Sequence, residues 1–281
     1  MQPSIMSKED SLLINAEQIA TLLGSQRSRF NIHTFTECDS TNTVLFEQAR
    51  GGAPSGTIVI TDHQKSGRGS RNRLWHSCPQ ASLTFSILWR FTAGMETMAG
   101  LSLAVGLAVV KALEVCGARD VCLKWPNDIV YQNKKLGGIL IELIDSSTDA
   151  DHAQTAAVCG IGLNLTRFVT TQEMSDFPLP VATLDEIISP LPDRHLLLSS
   201  LLICLSDIFD QFAITGFAGL QDEWQARHAW QDQPVVLLRD GRIENEGICR
   251  GADSDGALLV QTSHGIERCL SGDLSLRVNL S

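Results

Sequence analysis

Apolar positions along this chain recur with two periods, one of about 3.6 residues and one of two, which separate helices from strands. The segment NAEQIATLLG starts at Asn15, a residue type that caps helices by accepting backbone N–H bonds, and stops at Gly24, predicting a short helix. DSTNTVLFEQARGG predicts a second helix, entered through Asp39, Ser40 and Thr41 and left at Gly51-Gly52, with Val44, Leu45 and Ala49 as its apolar positions. The β-branched run GTIVITDHQ predicts a strand leading directly into QKSGRGSRNRLW, and SLTFSILWR alternates like a strand with one buried face. A long helix over about 98–116 follows, then three strand-like segments, VCLKWPNDIVYQ, KKLGGILIELI and AAVCGIGLNL. Residues 145–155 read as a polar loop, 169–192 as an irregular proline-containing stretch, and 195–228 as helical again. Together these predict an α+β fold, a mixed sheet with helices packed on one side.

The tail has a different rhythm. VVLL, RIENEGICR, ALLVQT, IERCL and SLRV are short strand-like pieces separated by turn signals at Asp240-Gly241, Asp253–Gly256, Ser263–Gly265 and Ser271–Asp273. Five such pieces predict a small barrel, with a boundary near Gln233 that divides the chain into 1–232 and 233–281. The DSDG sequence reads as a turn, because the remaining ligands and flanking helices of a calcium loop are missing.

Composition narrows the function. The 281 residues carry a net charge of −10, which argues against general affinity for nucleic acid or an anionic membrane. Yet no Asp or Glu occurs between His63 and Met95, and the loop inside that window holds Lys65, Arg68, Arg71 and Arg73. A local, flexible basic loop in an acidic protein suits a small anion. The eight cysteines are scattered without a CxxC pair, which fits buried thiols in a reducing compartment better than a disulfide framework or zinc site. The N-terminus lacks the features of a signal peptide, and the two longest apolar stretches are interrupted by Lys111 and Glu114 and by Asp207 and Asp210. A cytoplasmic protein without a membrane partner is expected.

Four segments carry candidate chemistry. The basic loop lacks the GK[ST] of a Walker motif but offers backbone freedom at Gly67, Gly69 and Asn72, with arginines able to fork onto phosphate or carboxylate oxygens. KWPNDI directs Asn127 and Asp128 outward from a turn, suited to magnesium or an incoming amine. KKLGGILIE sets Lys135 before an apolar strand whose Gly137 and Gly138 permit close approach. GIGLNL lacks the third glycine and following helix of a dinucleotide fingerprint.

DSTN, QKSGRGSRNRLW, KWPNDI, KKLGGILIE and GIGLNL, in this order and spacing, resemble the biotin protein ligases, and the tail resembles that family's C-terminal SH3-like domain. The resemblance runs from about Leu12 to Val278 and implies a catalytic domain of the biotin/lipoate ligase type. It implies that biotin attacks ATP to give biotinyl-5′-AMP, which then biotinylates a lysine of a biotin carboxyl carrier protein. It places Ser40, Thr41, Asn42, Gln64, Arg68, Gly69, Ser70 and Lys135 on biotin and its carboxylate, and Arg73, Trp75, Asn127, Asn164 and Arg277 on the nucleotide. Arg68, Lys135 and Asp128 are the implied catalytic groups, and Asn127 and Asp128 the implied magnesium ligands. Two positions depart from the family's GRGRxGRxW pattern: Ser70 stands for an arginine and Asn72 for a glycine. Lipoate ligases share the fold but lack this motif set. The 38 residues before Asp39 are too few for a winged DNA-binding domain, so a ligase without a DNA partner is expected, with a homodimer left open.

Overall fold

The computed structural model describes residues 14–147, 153–168, 180–239, 242–270 and 274–278. The sequence readings of the turns at Asp240-Gly241 and Ser271–Asp273, of the loop over 148–152 and of 169–179 fall outside these residues.

Seven strands form the main sheet: β1 (Asn31–Cys38), β2 (Thr57–Gln64), β3 (Ser82–Phe91), β4 (Val121–Lys124), β5 (Asp128–Tyr131), β6 (Lys134–Asp145) and β7 (Thr155–Asn164). Their spatial order is β1-β2-β3-β7-β6-β5-β4. β1 and β2 run parallel, joined by helix α2 (Thr41–Arg50), and every other neighbouring pair is antiparallel. Helix α1 (Ala16–Leu22) begins as expected at Asn15, whose Oδ1 accepts from the backbone N–H of Glu17 at 2.8 Å and Gln18 at 3.2 Å.

Helices cover both faces of this sheet, a correction to the one-sided packing expected. On one face α3 (Leu101–Val115) and α4 (Arg194–Thr215) pack on Ile58, Ile60, Phe85, Ile87 and Ile161. On the other, α2 presses Leu45 and Ala49 onto Val59, Leu88 and Val158. Strand β3 is therefore buried on both faces, and its polar residues Thr84 and Ser86 are buried too. Helix α4 is long and apolar enough to cross a membrane by length and composition, but Leu201, Leu205, Phe209 and Phe212 are buried in the protein core.

The tail forms a second sheet of β8 (Pro234–Arg239), β9 (Arg242–Ala252), β10 (Leu258–Thr262), β11 (Gly265–Cys269) and β12 (Leu274–Val278), antiparallel throughout in the order β11-β10-β9-β8-β12. Five antiparallel strands are what the small SH3-like barrel expected of the tail calls for, and among the described residues β11 and β12 are the edges of the sheet, which is not closed. Asp253 Oδ1 accepts from the N–H groups of Asp255 and Ala257, which makes DSDG the expected turn.

The second sheet is fastened to the first layer by polar contacts. Trp125 Nε1 donates to Gly256 O at 3.1 Å, and Gln221, at the start of α5 (Gln221–Gln225), donates to Ala252 O at 2.7 Å. His228 is buried at this seam, stacked on Trp224 and with Nδ1 3.8 Å from Cys249 Sγ. Burial, with Lys124 nearby, pushes the imidazole down to about 3, so it stays neutral at physiological pH.

Candidate active site

A cavity of about 600 Å³ opens on the α2 face of the main sheet. Its floor lies on one register row: cross-strand partners place Thr61, Thr84, Gly162, Gly138, Asp128 and Lys124 in line, and Thr84, Gly162 and Gly138 of that row line the cavity. The glycines make room. A Cβ at Gly162 would fall 2.4 Å from the Trp75 indole, and one at Gly160 would fall 2.2 Å from Asn42 Oδ1. The GxG of GIGLNL is therefore a clearance for two overlying side chains, not a phosphate loop.

One wall is a nest of neutral polar groups at the N-terminus of α2. Ser40 occupies the N-cap position, and Ser40, Thr41 and Asn42 are all buried. Gln64 Oε1 accepts from the Thr41 backbone N–H at 2.8 Å, while the Gln64 N–H donates to Ser77 Oγ at 2.9 Å. The Ser86 hydroxyl donates to Asn42 Oδ1 at 2.6 Å and lies 2.8 Å from Thr41 Oγ1. Asn42 Nδ2 donates to Glu142 Oε2 at 3.0 Å. Such mutual bonding fixes the directions in which the remaining donors and acceptors face the cavity.

The basic loop closes over this nest as a small self-bonded flap. Gly69 N donates to Arg73 O at 2.7 Å, Trp75 N to Gly67 O at 2.8 Å, and Arg68 bridges Leu74. At its tip, Ser70–Asn72 form a 3-10 turn in which Arg71, rather than Gly67, Gly69 or Asn72, takes the left-handed backbone, φ 60°. Arg73 Nη2 donates to Ser70 Oγ and its Nε to Ser70 O, both at 3.2 Å. Arg68 Nη2 sits 2.5 Å from Glu142 Oε1, and its Nη1 is 3.3 Å from Thr43 Oγ1.

At the other end of the floor row, Asp128 lies between two ammonium groups: Lys124 Nζ is 2.9 Å from Oδ2 and Lys135 Nζ is 2.5 Å from Oδ1. Asp128 and Lys124 are buried, and Lys135 also stands 5.8 Å from the Trp75 ring. Burial raises the Asp128 carboxyl, but the two lysines outweigh it and hold the group far below the usual carboxylate range. Burial itself pushes Lys124 down from the ordinary lysine value. The expectation of an outward carboxylate is thus corrected. Asp128 faces inward, neutralised on both oxygens. Asn127 donates Nδ2 to Ile139 O at 2.8 Å. This pair does not fit a protein-held magnesium ion, and no group of three His, Cys, Asp or Glu able to hold a metal occurs among the described residues.

Of the residues singled out in the sequence, Ser40, Thr41, Asn42, Gln64, Arg68, Gly69, Ser70, Arg73, Trp75, Asn127, Lys135 and Asn164 line this one cavity. Asn164 also braces its rim, donating to Lys135 O at 3.2 Å and Ala182 O at 3.3 Å. Asp128 sits behind Lys135, and Arg277, on β12, is outside the lining but close enough to feel the charges of Asp128 and Arg73. Sequence reasoning missed Ser86, Thr84, Glu142 and Lys124. The signal for the first two was available, since Thr84 and Ser86 share their alternation with the glycines of the facing strand.

Fold and cavity together define a catalytic unit of the biotin/lipoate ligase class. Residues 35–164 match the model of the Biotin/lipoate A/B protein ligase family, and residues 232–277 match the Biotin protein ligase C terminal domain. The chain is 36% identical to the bifunctional ligase/repressor BirA of Escherichia coli (strain K12) over 94% of its own length and 78% of that protein. It is 31% identical to a biotin–[acetyl-CoA-carboxylase] ligase of Paracoccus denitrificans, covering 81% of this chain and 92% of that one. Among solved structures, the biotin protein ligase from Aquifex aeolicus in complex with biotin and ATP is similar with a TM-score of 0.72 and 30% identity, over 89% of this chain and 99% of that one. This chain belongs to the biotin protein ligase family.

Proposed function

We propose that this protein activates biotin with ATP as biotinyl-5′-AMP and transfers the biotinyl group to a lysine of a biotin carboxyl carrier protein. The observation that carries the reading is a cavity joining a neutral hydrogen-bonding nest (Ser40, Thr41, Asn42, Gln64) to cations that include Arg68, Arg73 and Lys135. The nest suits the uncharged ureido head of biotin, whose buried polar atoms need partners. The cations suit its carboxylate and the phosphates. In the first step a carboxylate oxygen bonds to the α-phosphorus and the bond to the β-phosphate breaks, releasing pyrophosphate. Lys135 stabilises charge growing on the α-phosphate and carboxylate oxygens. In the second, the acceptor amine attacks the acyl carbon and AMP leaves. The reactants are themselves the nucleophiles, so the protein supplies position and charge.

Asp128 acts by holding Lys135. A carboxylate held this far below its usual range is a poor base, so it does not take the proton of the acceptor amine. Magnesium enters with ATP as its complex rather than on Asn127 and Asp128. Residues 233–281 form the C-terminal domain, bringing Arg277 to the nucleotide side. The net charge of −10 supports a protein partner rather than DNA, in the cytoplasm. The test is incubation with biotin, Mg-ATP and a biotin carboxyl carrier domain, probed with streptavidin. Label on the carrier lysine is expected, and transfer of lipoate without transfer of biotin would overturn the reading.

A further inference from the structure

We infer that Glu142 is a positioning residue that couples the head-binding nest to the flap, a role that rests on the biotin reading above. Its carboxylate is bonded to both parts: Oε2 accepts from Asn42 Nδ2 at 3.0 Å and Oε1 pairs with Arg68 Nη2 at 2.5 Å. It projects from β6, and its side chain is only 21% exposed against 46% for Arg68, so the anchor is the more fixed partner. Thr43 Oγ1 holds a second arm of the guanidinium at 3.3 Å. An arginine has five N–H donors in a rigid fork, and these two contacts engage Nη1 and Nη2 while leaving further donors for an anion in the cavity. Glu142 therefore sets the orientation of Arg68 before substrate arrives, and it does so from the side chain that also orients Asn42. Without it, the ordering of the flap falls on ligand binding, and the cost appears in anion affinity.

The geometry gives the inference a sign. Glu142→Gln keeps an acceptor for Asn42 but replaces the charge-assisted bond to Arg68 by a neutral one. Biotin and biotinyl-AMP should bind about 5-fold more weakly, the adenylate dissociating correspondingly faster. The alcohol analogue of biotin, which keeps the ureido head and lacks the carboxylate, should bind the variant and the wild type alike. In an Arg68→Ala background, Glu142→Gln should add nothing. The experiment is calorimetric titration of biotin and of the alcohol into the four proteins, with adenylate release followed on the same samples. Tighter adenylate retention in Glu142→Gln would show that the carboxylate competes with substrate for Arg68, and would overturn the inference. So would equal loss of biotin and alcohol affinity, or a full additional loss in the Arg68→Ala background. If the wild type binds neither biotin nor its alcohol, it is the biotin reading that fails.

Discussion

Replacing Asp128 by Asn tests the buried charge row most directly. The substitution is nearly isosteric but leaves Lys124, 4% exposed, without a counter-charge, while Lys135, 21% exposed, can turn toward water. Breaking one partner out of a buried pair costs about 3–5 kcal/mol. The lower end applies here because one of the two cations can relax, so about 3 kcal/mol is expected at pH 7. The pH profile adds a sign. The folded-state pKa of Asp128 is depressed, so its stabilisation is present above the unfolded value of about 4 and is lost as pH falls through the folded value. The gap between wild type and variant should be flat from about pH 5 to 8 and shrink in acid. It should also narrow in alkali, where the buried Lys124, already pushed down, sheds its proton. Urea denaturation across this range measures it, with the slope against denaturant held as a check on two-state behaviour. A gap under about 1 kcal/mol at pH 7, or one that widens on acidification, would refute the account.

Lys135→Ala leaves the Lys124–Asp128 pair intact and should fold normally, as should Arg68→Ala on the exposed flap, yet each should slow pyrophosphate release at least about 100-fold. Near-normal rates in both would remove them from the chemistry. Ser70→Arg places a charge where a hydroxyl now accepts from Arg73, and should slow biotinyl-AMP dissociation by roughly 5-fold; equal rates would mean that a neighbouring arginine already supplies that charge. Gly162→Ala drives a methyl into the Trp75 indole, and the flap rather than the sheet should yield. Its stability should fall by less than about 1–3 kcal/mol while the KM for ATP rises, and an unchanged KM would show that Trp75 does not roof the nucleotide side.

The strands and motif loops were legible because each carries its own local signal: period-two alternation, Asn15 as a cap, turn residues in the tail. The gathering of DSTN, the basic loop and the KKLGG strand into one cavity was legible only through resemblance, since register between distant strands leaves no mark on any one of them. The face of β3 was misread for a physical reason. Thr84 and Ser86 alternate with apolar residues as solvent-facing positions do, yet they are buried because α2 and the cavity cover that face. Asp128 was misread in the opposite direction: a Pro-Asn-Asp turn ordinarily exposes its carboxylate, and only the arrival of Lys124 and Lys135 on both sides turns it inward. Glu142 lay beyond reach, because an acid at the end of an apolar strand looks like any surface acid until Arg68 and Asn42 are placed beside it.

Many of the flap's hydrogen bonds run within itself, from Gly67 to Trp75, and its contacts with the rest of the protein include the indole seated over Gly162, the ion pair of Arg68 with Glu142 and the bond from Arg68 to Thr43. That self-bonding makes the flap a unit that can be exchanged whole, provided that Arg68 and its partners Glu142 and Thr43 are kept. Segments from other ligases that carry the tryptophan and the Arg68 equivalent should then graft onto this scaffold with the strands beneath retained, which the folding of the grafts would check. A library of such grafts would vary the flap's arginines while leaving the hydrogen-bonded nest of Ser40, Thr41, Asn42 and Gln64 in place, and so would separate what each part contributes to binding.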